Sequence, residues 1–147
     1  EEAAGLLAQE AIAALDVGTG SGILAIALAK MGASRVLALD SDPVALKSAR
    51  ANVRHNRVGR AVRLSNFGLG GVKESFAVVV ANLTAETIIE LAALLQKRVS
   101  AGGYLILSGI VRPKAGEVMR CFSPHPFMLA RQTTQGEWVT LMLKKKG

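Results

Sequence analysis

The stretch "LDVGTGSGILAIALAK", residues 15–30, constrains the fold more than any other part of the chain. It sets Gly18, Gly20 and Gly22 directly after a short apolar segment, residues 11–17, that carries Asp16 near its end. Apolar residues then recur at helical spacing over 23–29, so the glycines predict a strand-to-helix corner. Glycine lets the backbone turn tightly and approach a bound molecule closely, and the first N–H groups of a helix have no partner within it. Such a corner is suited to holding a ligand against bare backbone.

The rest of the chain repeats this strand-helix alternation at short intervals. Strands are expected over 35–40, 61–65, 76–81 and 104–108. Asp42-Pro43 offers an N-cap acid and a proline at the first helical position, opening a helix that runs to about His55. A second long helix, over 86–99, carries Ile88, Leu91, Ala92, Leu95 and Val99 on one side, with Lys97-Arg98 at its end. Gly102-Gly103 is expected to separate it from the next strand, and a short helix follows over 114–121. The tail, "FMLARQTTQGEWVTLML", predicts an antiparallel pair of strands around Gln135-Gly136. Alternation of this kind implies an α/β fold with a mostly parallel sheet. With 147 residues, no low-complexity linker and no internal repeat, the expectation is a single domain over 1–147.

Hydrophobic residues make up 50% of the chain and charged ones 20%, the balance of a globular protein. The longest relevant apolar run, 23–29, is far short of the roughly 18 residues a membrane span needs, and Glu1-Glu2 is the opposite of a basic signal-peptide start. No membrane partner is therefore expected, and the location expected is cytoplasmic. The single cysteine, Cys121, has no internal disulfide partner and none at metal-ligand spacing, so no metal site is expected. The net charge of +7 is unevenly spread, since residues 51–70 hold four arginines and no acid. Lys47, Arg50, Arg54 and Arg57 share one side of the predicted helix, with Arg60 and Arg63 close behind. Such a stripe is either a solvated face or a surface for phosphates, and no aromatic residue is interleaved with it for base stacking.

The glycine spacing narrows the ligand. A dinucleotide fingerprint needs G-x-G-x-x-G, but here the third position of that pattern is Ile23, and no lysine follows for a phosphate loop. Asp40, 20 residues beyond Gly20, stands at the end of the second predicted strand, where a carboxylate can accept both hydroxyls of a ribose. A glycine turn also suits any strand-to-helix corner, and Asp40 or Asp42 can simply cap a helix. Chain order and spacing together favour the ligand.

The blocks "LDVGTGSGILAIALAKMGASRVLALDSDPVAL", "VVVANLTAE", "GGYLILSGI" and "GEWVTLML" resemble, in sequence and order, those of class I S-adenosylmethionine-dependent methyltransferases. More closely, they resemble the PrmA-type ribosomal-protein methyltransferases, which methylate amino groups of a large-subunit ribosomal protein. The likeness runs from about Leu15 to the C-terminus. It implies a Rossmann-like sheet of seven strands, the last antiparallel, with helices on both faces. It also implies S-adenosylmethionine as cofactor and a ribosomal protein as substrate. Carried over by position, Asp16, Gly18, Gly20 and Gly22 form the loop under the methionine part of the cofactor, and Asp40 holds the ribose hydroxyls. Thr19 and Ser41, beside these positions, join the cofactor-binding set. Asn66 falls where such enzymes place a side chain against the adenine, although this stretch is shorter than the family's pattern. Asn82 falls opposite the transferable methyl, so it joins the cofactor-binding set and is the expected catalytic residue, its carbonyl accepting a hydrogen bond from an incoming amine. Read locally, Asn82 can also serve only to satisfy a strand end.

No general base stands out. His55 lies in the basic helix and His125 between two prolines, and Ser108 and Thr84 are the available hydroxyls. No aromatic residue occurs between Phe76 and Tyr104, which disfavours a stacked planar acceptor and favours a tetrahedral amine. The family's N-terminal recognition domain and its Gly-Thr-Gly-x-His-x-Thr-Thr segment have no counterpart here, and residues 1–10 predict only a short helix. The chain therefore reads as a catalytic-domain fragment or a divergent relative. Two alternatives remain open: an RNA methyltransferase that uses the arginine stripe, and a non-catalytic module that keeps the fold.

Overall fold

In the computed structural model, which describes residues 11–122 and 126–147, strands and helices alternate from the start. The order is β1 (Ala13–Val17), α1 (Ile23–Lys30), β2 (Arg35–Leu39), α2 (Pro43–His55), β3 (Val62–Ser65) and β4 (Phe76–Asn82). There follow α3 (Ala85–Arg98), β5 (Val99–Val111), α4 (Ala115–Phe122), β6 (Phe127–Gln135) and β7 (Trp138–Lys145). The helix expected over residues 1–10 and His125 lie outside the described residues. The seven strands form one sheet in the order β3-β2-β1-β4-β5-β7-β6. Neighbours from β3 to β5 pair in parallel, and β7 runs antiparallel to both β5 and β6. Only the last strand opposes the others, as expected.

Period-two alternation divides the core between the two faces of the sheet. Ala14, Val36, Ala38, Val62, Val78 and Val80 meet Ala25, Ile26 and Leu28 of α1 and Val53 of α2. Leu15, Val17, Val79, Leu105, Leu107 and Leu141 meet Ile88 and Leu95 of α3 and Val118 and Phe122 of α4. Burying a leucine, isoleucine or phenylalanine of this kind contributes about 1.5–3 kcal/mol, so both layers are anchored by burial rather than by helix propensity.

The helix ends follow the sequence. Asp42 caps α2 by accepting from the Val44 amide at 2.9 Å, with Pro43 at the first position. Thr84 caps α3, accepting from the Thr87 amide at 3.3 Å. That bond employs the Thr84 hydroxyl, one of the two available hydroxyls of the sequence analysis.

One expectation is corrected. Gly102-Gly103 does not separate α3 from a strand, because β5 begins immediately at Val99. Val99 pairs with Phe76 and Tyr104 with Val78, so the strand bulges outward between the two pairs. Gly102 supplies φ +77°, and a Cβ on Gly103 would stand 2.8 Å from the Ala77 carbonyl oxygen. The glycines are bulge residues that let β5 rejoin β4 at close range.

Candidate functional site

Strand order reverses beside β1, since the chain proceeds to β2 and β3 on one side and to β4 and β5 on the other. In an open α/β sheet, ligands bind in the crevice beyond the carboxyl ends of the strands at this point. The glycine loop lies there, and all three of its glycines have positive φ: +74° at Gly18, +56° at Gly20 and +86° at Gly22. The amides of Gly18 and Thr19 both donate to the Leu39 carbonyl, at 2.9 and 2.8 Å, which ties the loop to the end of β2. From α2, the Asn52 side-chain amide donates to the Ser21 carbonyl at 2.9 Å.

The glycines differ in role. A Cβ on Gly18 would come within 2.6 Å of Leu83, which lies over the loop, whereas over Gly20 there is open space. Gly22 is buried, and its absent side chain admits Ala49 of α2, whose Cβ is 3.2 Å from the Cβ position of Gly22. Gly22 therefore sets the packing of α1 on α2 and does not line the cleft.

Asp16 shares a face of β1 with Ala14 and so points beneath the first turn of α1. It is fully buried. Its Oδ2 accepts from the Thr19 hydroxyl at 2.7 Å, while Oδ1 has no hydrogen-bond partner among the described residues. Burial pushes the Asp16 carboxyl up to about 6. The Thr19 hydrogen bond and the nearby Ala25 amide oppose that shift, and the charge of Asp40 adds to it. Thr19 is buried with its hydroxyl on Asp16, so it supports the site from below.

Asp40 follows β2 directly. Its Oδ2 accepts from the Gly20 amide at 2.8 Å and its Oδ1 from the Asp42 amide at 2.9 Å. An ionised carboxylate has about four lone-pair sites, so each oxygen retains one acceptor direction. Asp40, Ser41 and Gly18 line a cleft of about 300 Å³ whose walls include Leu39, Leu69, Leu83 and Leu91, with Thr87 the polar group from α3. Phe67, 56% exposed, forms the outer wall with Gly68. Asn66 is exposed and is not among the lining residues, whereas its neighbour Phe67 is.

Asn82 ends β4 one residue before Leu83, is exposed, and makes no side-chain hydrogen bond among the described residues. Its backbone pairs with Ser108 of β5, and the next residue, Gly109, has φ +83°. A Cβ on Gly109 would stand 2.7 Å from Asn82 Oδ1 and 2.8 Å from the Leu83 carbonyl oxygen. Gly109 thus lets β5 pass directly beneath the Asn82 carboxamide. Sequence reasoning missed Gly109, although a lone glycine within a strand pattern signals a bulge or close approach. It also missed Phe67 and Leu69, for which "NFGLGG" was the only local sign, and did not assign Leu83 and Leu91 to the cleft. His55 ends α2, exposed and on the far side of the sheet from α3.

A family model described as ribosomal protein L11 methyltransferase (PrmA) matches residues 3–146. The chain belongs to this family. A ribosomal protein L11 methyltransferase of Halalkalibacterium halodurans is 42% identical over 131 residues, covering 88% of this chain and 42% of the relative. One from Geobacter metallireducens is 44% identical over 128 residues, with coverages of 87% and 42%. The chain thus spans about two fifths of the length of these curated PrmA relatives. The crystal structure of a ribosomal protein L11 methylase from Lactobacillus delbrueckii subsp. bulgaricus superposes with a TM-score of 0.87 at 29% identity, covering 99% of this chain and 78% of that one.

Proposed function

We propose that the cleft binds S-adenosylmethionine and that this PrmA domain transfers its methyl group to amino groups of ribosomal protein L11. The observation that carries this reading is the Asp40 carboxylate, fixed by two backbone amides with one acceptor direction left on each oxygen, at the edge of an apolar-walled cleft. The residues fit an adenosyl sulfonium. Two free acceptor directions suit a ribose diol, and the flat apolar space between Phe67, Leu69 and Leu91 suits a purine. The open space over Gly20 suits a chain lying on the backbone.

When bound, the cofactor supplies a methyl group already activated by its sulfonium, so the protein has no nucleophile to create. Its task is alignment, and holding reactants in an attack geometry can supply about 7–11 kcal/mol of barrier reduction. Asn82 presents a carbonyl oxygen that accepts an N–H from the incoming amine and directs the nitrogen lone pair. The amine must arrive neutral, and a free lysine titrates near a pKa of about 10.4. The apolar walls of the cleft disfavour a charged ammonium by desolvation, which shifts the amine toward its uncharged form.

Calorimetry and methyl transfer separate the two roles. The chain should bind S-adenosylmethionine saturably, Asp40→Ala should abolish that binding, and Asn82→Ala should bind normally while transferring labelled methyl to purified L11 at least tenfold more slowly. Equal binding by the Asp40→Ala protein sinks the cofactor assignment. Label entering RNA instead of L11 sinks the substrate assignment.

A further inference from the structure

We propose that the arginine-rich edge of the sheet, from α2 across β3, docks the sugar–phosphate backbone of duplex RNA. Between Asp42 and Glu74 the chain has no acid, yet it carries Arg50, Arg54, Arg57, Arg60 and Arg63. All five are exposed, and none forms a salt bridge among the described residues. The nearest acid along this edge, Glu74, is already held by Arg35 at 2.9 Å. The face therefore carries an excess of positive charge, with Glu74, paired to Arg35, as the one acid lining its second groove, and such an excess attracts a polyanion.

Its shape is concave. A groove of about 340 Å³ has Arg50 and Arg54 at its rim and Val53, Val62 and Leu64 in its lining. Gly59 also belongs to a second groove, of about 400 Å³, flanked by Arg60 and Arg63. Because β3 is the edge strand, the two grooves form one band around a free border of the sheet.

Arg57 is an independent sign. It is the one non-glycine with positive φ among the described residues, at +57°, directly after the C-cap of α2. Glycine is the default there, so the chain keeps a guanidinium at a position where it is conformationally unfavourable. Arginine, rather than lysine, dominates the face, and its planar fork matches phosphate oxygens in pairs. Neither groove has an aromatic residue in its lining, which points to backbone contact with a duplex rather than stacking on single-stranded bases. The choice of RNA rests on the proposed ribosomal-protein substrate; the charge and shape do not. Since α2 starts beside Asp40 and runs away from it, Arg54 and Arg57 lie at the opposite end of the strands from the cleft, which a docked duplex leaves open.

The test is fluorescence anisotropy of a labelled 20-base-pair RNA duplex with the full chain. If all five arginines meet phosphates, affinity should fall roughly 500-fold between about 50 and 200 mM salt. Arg50→Glu with Arg54→Glu should abolish binding without altering the affinity for S-adenosylmethionine, so failure of this inference and failure of the cofactor reading are distinguishable. Arg57→Gly should raise the melting temperature while reducing the salt slope by about one. Unchanged RNA affinity in the doubly reversed protein overturns the proposal, as does tighter binding to a DNA duplex of the same sequence. Tighter binding to polyglutamate, the mark of an acidic protein partner, also overturns it.

Discussion

Asp16 has no access to water, and only one of its two carboxylate oxygens has a hydrogen-bond partner among the described residues. Its folded-state pKa of about 6 lies above the ordinary 3.8, so between these values the folded protein holds more protons than the unfolded one. The stabilising contribution is complete below the unfolded value and is lost as pH rises through about 6. At neutral pH the ionised group therefore costs roughly 3 kcal/mol relative to the protonated one. Asp16→Asn removes the titration. In urea unfolding measured from pH 4 to pH 8, the stability of this variant relative to the parent should rise by up to about 3 kcal/mol, whatever its absolute value. A difference that stays constant with pH counts against the account. The glycine corner after Asp16 was legible in the sequence because a strand end and the turn after it are covalently adjacent. Asp40 was legible through its spacing. Its capture by the Gly20 and Asp42 amides was not, since that depends on how closely β2 approaches the loop.

At the level of elements, strands and helices were readable from local periodicity, and the boundaries mostly differ by a residue or two. What escaped was irregularity within β5, because a bulge is defined by the partner strand. The strand shifts register against β7 between Leu107 and Ile110, at the point where Gly109 passes under Asn82. Bulges beside functional sites commonly re-aim a side chain, and here the absent Cβ leaves room for the Asn82 carboxamide. Gly109→Ala must adopt φ +83° and push against Asn82 Oδ1 and the Leu83 carbonyl. Strain of this kind costs of order 1–3 kcal/mol. The variant should unfold at lower urea and transfer methyl groups at least tenfold more slowly, yet bind the cofactor with an affinity within a few-fold of the parent. Cofactor affinity lost in step with transfer would mean that Gly109 serves the loop and not Asn82. The same non-locality explains why Phe67 and Leu69, from the segment after β3, and Leu91, from α3, gave no joint signal before the fold assembled them around one cleft.

Across the whole molecule, the cleft gathers residues from the ends of β1, β2 and β4, from the segment after β3 and from α3. Its β2 side is held by Asp40 and Ser41, its β3 side by Phe67 and Leu69, and its far wall by Leu83, Thr87 and Leu91 from the end of β4 and from α3. A ligand gripped by all of these connects the helix layer on one face to the strand ends that carry the other layer, so its binding energy should appear as global stability. Ligand at about 100 times its dissociation constant adds roughly 2.7 kcal/mol, which for a chain of this size corresponds to a rise in melting temperature of about 5–11 °C. S-adenosylhomocysteine, which lacks the transferable methyl, should produce this shift in the parent and in Asn82→Ala. Asp40→Ala should show no shift and a lower starting temperature, because the part-buried Gly20 amide loses its acceptor, at about 1–3 kcal/mol if left unsatisfied. A shift of parental size in Asp40→Ala would place the ligand elsewhere on the chain. Duplex RNA at low salt should leave the cofactor-induced increment unchanged, since the grooves of the arginine edge and the cleft share no residue.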